Sequence, residues 1–286
     1  MPIVTDDYKK PNADIAKEIA AQYEQQTTGE SGKYQFPTEI LELPSKGWFY
    51  PAENPLSSGK VEMKYMTAKE EDILTTQSYI KQGVVLDKLF QSMIVGNGEG
   101  KRVNYQDLLL CDKNAIMITA RILGYGKDYD VEIETPSGNQ QKETVDLTRV
   151  ENIEVDFDTL PKNVNEFEFT LPVSKRTVTY KLLSHREQAE IEEEVKRTKK
   201  ISGGTDTLLS TRLIHSIVSV DGNKDKAIIR NFVSKELLAA DSRALRAYIK
   251  MMTPDVNLEL EFTDEETGDP FRATLPIGVD FFWPTT

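Results

Sequence analysis

Short stretches of alternating apolar and polar residues mark strands along this chain, and helical periodicity occupies the segments between them. The segment KVEMKYM from Lys60 alternates as a half-buried strand does, and YDVEIE followed by TPSGN and KETVDL predicts a β-hairpin. A short strand, EILELP, ends earlier at Pro44. Between these strands the apolar spacing predicts helices over residues 84–95, 104–110 and 112–123.

The same order of elements recurs after residue 155. The segments NEFEFTLP and RTVTYKLL predict two strands, and LELEF and FRATL predict a second hairpin around the turn DEETGD. Helices are predicted over 184–200, over 224–233, over 241–252 and, as a strongly amphipathic segment, from Leu208 to Val220.

Sequence matches between the halves indicate a tandem duplication. At a constant offset of 129, Leu108 aligns with Leu237 and Asp112 with Asp241, while VEMKYMTAKEE aligns with VTYKLLSHREQ at an offset of 117. A period above 100 residues is too long for a solenoid. The predicted fold class is therefore α+β, with two tandem homologous modules at 36–155 and 156–286. Each module is a small helical bundle with short antiparallel strands and a β-hairpin.

Helix-start signals occur at matching places in both modules. Thr67 with Glu70 and Ser184 with Glu187 have the spacing of a capping box, in which two side chains satisfy the first amides of a helix. Asp112 and Asp241 are predicted to be N-caps of a later pair of matching helices.

Residues 1–35 are predicted to be a flexible N-terminal arm. The segment is polar, but Ile15, Ile19 and Tyr23 fall on one face of a helix, with Asn12 or Asp14 as its cap. So thin an apolar stripe does not fold alone. Two interpretations stay open: a disordered leader, or an arm that docks on a neighbouring subunit.

Composition excludes several classes of protein. The net charge of −12 repels phosphate backbones, so we expect no nucleic-acid partner. No apolar run reaches the length of a transmembrane helix, and no secretory signal is visible. The single cysteine, Cys111, lies in an apolar run and is expected to be a buried thiol in a protein made in a reducing cytoplasm.

Candidates for chemistry are few. His185 is expected to be a solvated residue at a helix start, and His215 to lie at a surface or interface. The glycine-rich GNGEGK lacks the spacing of a phosphate-binding loop, and the acidic turn Asp264–Glu266 is expected to be an exposed hairpin tip. We therefore expect no catalytic residues, no cofactor, no metal and no small-molecule substrate, and predict that the protein is not an enzyme.

Aromatic residues give the best candidates for protein interfaces. Phe281, Phe282 and Trp283 form the aromatic tail of the second module, and Trp48 and Phe49 lie in a loop rich in glycine and proline. Three adjacent aromatic side chains are costly to expose to water. The tail is therefore expected to pack, either on the second module or into a neighbouring protein.

Several of these motifs together resemble a known family. The patterns LPSKGWFYP, VEMKYMTAKEEDIL and LLLCDKNAIMITARILGYGKDY, and later ADSRALRAYIKMMTPDV and LPIGVDFFWP, resemble the baseplate hub and hub-assembly proteins of T-even-like, contractile-tailed phages. The resemblance runs from about Leu43 to Pro284. It implies a structural or assembly role in a baseplate hub, through non-covalent binding to other baseplate or hub proteins.

One departure from the family concerns metal. The resemblance implies CPxC in the first hairpin turn and CxxCG in the second, as in many members of that family, and such turns would form a four-thiolate zinc site joining the modules. The corresponding turns here read Thr135–Gly138 and Asp264–Gly268 and contain no cysteine. We therefore expect no zinc, with the hairpins held by turn chemistry and packing.

Two roles remain open from the sequence. The protein is expected either to be a subunit of the virion's tail baseplate, assembled in the host cytoplasm, or to act outside the virion as a chaperone or adaptor for a hub protein.

Overall fold

The computed structural model describes residues 37–153, 155–201 and 207–282. It contains the helices α1 (Ala68–Thr75), α2 (Gln77–Gln82), α3 (Val85–Met93), α4 (Lys113–Tyr125), α5 (His185–Ile201), α6 (Leu208–Ser216), α7 (Lys226–Asn231) and α8 (Ala239–Met252). Its strands are β1 (Thr38–Glu42), β2 (Lys60–Lys64), β3 (Ile94–Gly96), β4 (Asp128–Glu134), β5 (Gln140–Asp146), β6 (Phe167–Thr170), β7 (Thr177–Tyr180), β8 (Ile217–Val220), β9 (Glu259–Thr263) and β10 (Pro270–Thr274). The fold class is α+β, as predicted.

The strands form four small antiparallel sheets. Two have three strands, in the orders β1-β2-β3 and β6-β7-β8, and two are the hairpins β4-β5 and β9-β10. The pairing of β2 with β3 is irregular at Glu62/Met63, and the pairing of β7 with β8 is irregular at Thr179/Tyr180. The first half (residues 39–153) and the second half (residues 155–282) therefore present the same order of sheet, helix and hairpin.

Both predicted capping boxes are present. The Glu70 carboxylate accepts hydrogen bonds from the Thr67 amide at 3.0 Å and its hydroxyl at 2.6 Å. At the start of α5, the Glu187 carboxylate accepts bonds from the Ser184 amide at 2.7 Å and its hydroxyl at 2.9 Å. A lysine from the preceding strand segment, Lys64 or Lys181, also pairs with each glutamate. The charge near each glutamate is thus balanced where the helix begins.

Two predicted helices are wrong in part. Residues 104–110 form only short 3₁₀ turns, at Tyr105–Asp107 and from Leu110, because the segment leaves the helical path to pair with the second half. The amphipathic helix predicted from Leu208 ends at Ser216, and Ile217–Val220 forms β8. The β-branched residues of that segment pair with β7, so tertiary pairing overrides the helical pattern.

From Glu39 onward, the described residues belong to one compact unit. Within this unit, two antiparallel bridges join the halves: Leu109 with Ser184, and Asn152 with Val256. The largest fully buried side chains come from both halves and include Phe49, Phe90, Tyr180, Phe232 and Phe282. Across the ranges that the structure describes, no helix combines the length and apolar character needed to cross a bilayer.

Candidate interaction surfaces

The loop between β1 and β2 is held by Asp112, which comes from the start of α4. The Asp112 carboxylate accepts hydrogen bonds from the Ser45 amide at 2.9 Å, the Ser45 hydroxyl at 2.8 Å and the Tyr50 hydroxyl at 2.6 Å. Tyr50 Oη in turn accepts the Leu109 amide at 2.9 Å. This network fixes the loop against the chain segment that enters α4.

Asp112 lies at the predicted N-cap position of α4, but its side chain does not cap the helix. It makes no capping hydrogen bond and turns instead to the loop 45–50. Burial raises the pKa of Asp112 to about 6, although the hydrogen bonds from Tyr50 and Ser45 oppose that rise. The carboxylate binds a loop 67 residues earlier in the chain.

Asp241 makes the corresponding contact in the second half. Its carboxylate accepts the Val173 amide at 2.7 Å and the Ser174 amide at 3.0 Å, in the tight turn between β6 and β7. Asp241 lies inside the first turn of α8, which begins at Ala239, so the prediction that Asp241 is the N-cap is wrong. Burial alone raises the pKa of Asp241, but the two backbone donors outweigh burial and hold that pKa below its ordinary value.

The interface candidates Trp48 and Phe49 pack against the segment that leads into the second half. Trp48 Nε1 donates to the Leu160 carbonyl at 3.1 Å, and its ring lies 5.6 Å from that of Phe157. Phe49 is buried and meets Phe157 and Phe167. Phe49 thus has no surface left for another protein, so its choice as an interface candidate is wrong. Trp48 is half-buried, and its interface role stays a prediction.

The aromatic tail packs inside the chain, but on the first half. Phe281 and Phe282 are buried, with the Phe281 ring 4.7 Å from Tyr129 and the Phe282 ring 6.3 Å from Phe90. Arg121 Nε donates to the Phe281 carbonyl at 3.0 Å. Both phenylalanines are therefore core residues. The expectations that the tail packs on the second module or into a neighbouring protein are both wrong for these two residues. Trp283 is outside the described residues, as are Ile15, Ile19 and Tyr23, so their interface roles stay predictions.

The two hairpin tips meet through polar side chains. Asn139 Nδ2 donates to Glu266 Oε2 at 2.9 Å, Gln141 Nε2 donates to the Thr263 carbonyl at 2.9 Å, and Gln141 Oε1 accepts the Glu265 amide at 3.1 Å. Asp264 is buried at the tip, where its carboxylate accepts the Glu266 amide at 2.9 Å. Asp264 therefore closes the turn and is not the exposed tip residue expected. In the described ranges, no three His, Cys, Asp or Glu side chains are grouped to hold a metal ion.

Of the two histidines, His185 is more buried than expected. His185 is buried between the halves and stacks on Tyr105 with ring centroids 4.3 Å apart, so its selection as a solvated residue is wrong. Burial next to Lys113 lowers the pKa of His185 to about 4, against the opposing effect of Asp87. His215 is half-buried, and its Nε2 lies 3.1 Å from Glu194 Oε2.

Sequence reasoning missed an exposed apolar face on the second half. The LELP that ends at Pro44 matches the FTLP that ends at Pro172, so Ser45 aligns with Val173, and Leu109 aligns with Leu238. Val173 is 55% exposed and Leu238 is 46% exposed, whereas Ser45 and Leu109 are 0% and 4% exposed. Periodicity does not reveal this difference, because aligned residues have similar local patterns. Leu109 is buried where Ser184 of the second half pairs with it, and in the described structure no corresponding segment pairs with Leu238.

Comparison with models of known protein families identifies the family of this chain. A family model described as "T4 bacteriophage base plate protein" matches residues 49–283. The chain belongs to this family. Membership identifies it as a structural component of a phage baseplate, in the virion tail and in contact with other baseplate proteins. Comparison with curated proteins and with solved structures finds no significant match.

Proposed function

We propose that this baseplate protein is a structural subunit of the hub, the central part of the baseplate. The supporting observation is the family match over residues 49–283, which covers both halves, together with the hub-like motifs LPSKGWFYP and LPIGVDFFWP. The Tyr50–Asp112 network fixes the first of these motifs, and the buried Phe281–Phe282 pair belongs to the second. Both motifs serve to build a rigid scaffold, which suits a subunit that binds its neighbours without covalent chemistry.

A second candidate role is that of an assembly chaperone or adaptor that leaves before the virion is complete. The exposed apolar face at Val173 and Leu238 favours it, because a chaperone needs such a surface for its client. Both roles place assembly in the host cytoplasm.

Mass spectrometry of intact, washed virions separates the two roles. A hub subunit is expected in purified particles at a fixed copy number relative to the tail tube protein, and cryo-electron microscopy is expected to locate it on the tail axis. A protein present in infected-cell lysates but absent from washed particles refutes the subunit role and supports the chaperone. An assay for lytic activity on cell walls tests the non-enzymatic role, and reproducible lysis by the purified chain contradicts it.

We also propose that the two halves are copies of one module. Support comes from the paired capping boxes with their lysines, the matching irregularities at Met63 and Tyr180, and the matching loop contacts of Asp112 and Asp241. In an experimental structure, Leu109, Asp112 and Ala115 are expected to superpose on Leu238, Asp241 and Ala244. Failure of α4 and α8 to superpose once the three-stranded sheets are aligned refutes the duplication.

A further inference from the structure

The halves are joined at one place by a short antiparallel pairing with a defined pattern. The Leu110 amide donates to the Leu183 carbonyl at 2.9 Å, and the His185 amide donates to the Leu108 carbonyl at 2.9 Å. The strand-to-helix junction 183–185 of the second half therefore covers the segment 108–110 of the first. Leu108 and Leu109 are buried by this arrangement.

The reciprocal pairing is not made within the chain. By the alignment, segment 237–239 corresponds to 108–110, and the junction 66–68 corresponds to 183–185. Among the described residues, no hydrogen bond engages the Leu237 carbonyl or the Ala239 amide, and none engages the Met66 carbonyl or the Ala68 amide. Segment 237–239 and junction 66–68 thus each carry one carbonyl acceptor and one amide donor that the described chain does not use.

The unused groups of segment 237–239 and junction 66–68 match each other in the same way as those of segment 108–110 and junction 183–185. A second junction of the same kind would bring the Ala239 amide to a Met66 carbonyl and an Ala68 amide to the Leu237 carbonyl. Unpaired backbone groups at a buried contact are costly, so a partner covering Leu238 must satisfy them. A junction of the type formed by residues 66–68 supplies one donor and one acceptor at the required spacing.

We infer that segment 237–239 is a docking site for the junction 66–68 of a second copy of this chain. The inference deepens the proposed structural function and rests on the correspondence between the halves. A contact in which one surface of each copy binds a different surface of the next is heterologous, and it produces either a closed ring or an open filament. The exposed side chains of Leu238 and Val173 supply the apolar surface that the contact buries.

Sedimentation of the purified full chain over a wide range of concentrations tests this docking. The wild type is expected to self-associate, and Leu238→Lys is expected to weaken association about tenfold or more by placing a charge in the contact. Ile228→Lys is the matched control, because Ile228 is 40% exposed on α7, outside both segments, and its replacement is expected to leave association unchanged. A wild type that stays monomeric, or equal effects of the two lysines, overturns the inference.

Disulfide trapping identifies the contacting residues. Leu109 and Ser184 form a non-hydrogen-bonded antiparallel pair, for which Cα atoms lie about 4.5 Å apart, within the range of a disulfide. Thr67 and Leu238 are the corresponding residues, so mixing the Thr67→Cys protein with the Leu238→Cys protein is expected to give a cross-linked heterodimer under mild oxidation. The Thr67→Cys protein mixed with Ile228→Cys is the control, and is expected not to cross-link.

The outcomes separate the alternatives. Failure of the Thr67→Cys and Leu238→Cys proteins to cross-link overturns the inference. A disulfide formed within a single chain that carries both substitutions also overturns it, because the pairing then closes internally. If Thr67→Cys does not fold, the Leu238→Lys sedimentation result decides. Association in solution combined with absence from virions refutes the hub role while leaving the self-contact intact, so the two proposals fail independently.

Discussion

Asp112 and Asp241 bind corresponding loops in the two halves, although their surroundings shift their proton affinities in opposite directions. Asp112 accepts the Ser45 amide together with two hydroxyl groups, and burial keeps its pKa high, at about 6. Asp241 accepts two backbone amides, and its pKa lies below the ordinary value. The same loop contact therefore responds differently to pH in the two halves.

Asp112→Asn is expected to destabilise the protein by about 1–3 kcal/mol at neutral pH, because a buried network loses part of its acceptor capacity. Between its ordinary pKa and about 6, Asp112 binds a proton in the folded protein but not in the unfolded chain. Wild-type stability from this group therefore rises as pH falls through that window. The difference in unfolding free energy between wild type and variant, measured by urea denaturation, should widen between pH 7 and pH 4.

Asp241→Asn is expected to show the opposite pH dependence of the difference in unfolding free energy between wild type and variant. Because the folded pKa of Asp241 is depressed, its contribution is present above the ordinary carboxyl pKa and is lost as pH falls through the folded value. The difference between wild type and Asp241→Asn should therefore shrink in acid. Two variants with parallel pH profiles would contradict the contrast between the loops.

Much of the fold follows from local signals in the sequence. The capping boxes at Thr67 and Ser184 place two helix starts correctly, because the two side chains and the helix amides lie within four residues. Both hairpins are also predictable from alternation around turn residues. The strand β8 is not, because Ile217–Val220 continues an apolar helical pattern until its pairing with β7 becomes known.

Long-range partners are the part that sequence patterns do not supply. Asp112 has the identity and position of an N-cap, yet its partners lie 62 and 67 residues away. Phe281 and Phe282 are recognisable as residues that must be buried, but hydrophobicity does not state which surface covers them. The exposed face at Leu238 depends on what fails to cover it, which no local pattern records.

Glu70→Gln is expected to destabilise the protein by roughly 1–3 kcal/mol. Burial raises the pKa of Glu70, but hydrogen bonds from Lys64, Ser92 and Thr67 outweigh burial and lower it to about 2. The amide loses the charge that pairs with Lys64 at 2.8 Å. Because the folded pKa is depressed, the wild-type advantage should disappear as pH falls from about 4.5 toward 2. Glu71→Gln, at the next and exposed position of α1, is the control and should cost little.

Phe282→Ala is expected to cost about 3–5 kcal/mol, since it leaves a cavity beside Phe90 in the first half. Hydrogen exchange should show the loss of protection in α3 and α4, far from residue 282 in sequence. Loss of protection confined to β9 and β10 would mean that the tail belongs to the second half.

Gln141→Ala is expected to destabilise the contact between the hairpin tips by about 1–3 kcal/mol, because the buried amide bonds both the Thr263 carbonyl and the Glu265 amide. Gln140→Ala changes an exposed neighbour on the same strand and should alter thermal stability little. Equal shifts in melting temperature for the two variants would argue against the polar contact.

Elemental analysis of the purified protein is expected to give far less than one zinc per chain. Both hairpin turns lack thiolates, which supply the ligands of many structural zinc sites. Addition of a strong chelator should leave the melting temperature unchanged. Stoichiometric zinc, or unfolding on chelation, would show that the polar tips have been misinterpreted.

The contact between Arg121 and the Phe281 carbonyl spans 160 residues and has a consequence for biosynthesis. A ribosome adds about 5–20 residues per second, so roughly 10–30 seconds pass between synthesis of the first partner and of the second. During that interval Phe90 and Tyr129 lack the aromatic side chains that cover them in the finished protein. We expect the nascent first half to remain incompletely packed until translation has passed residue 282, which makes it a client for ribosome-associated chaperones and keeps unfinished chains from entering assembly.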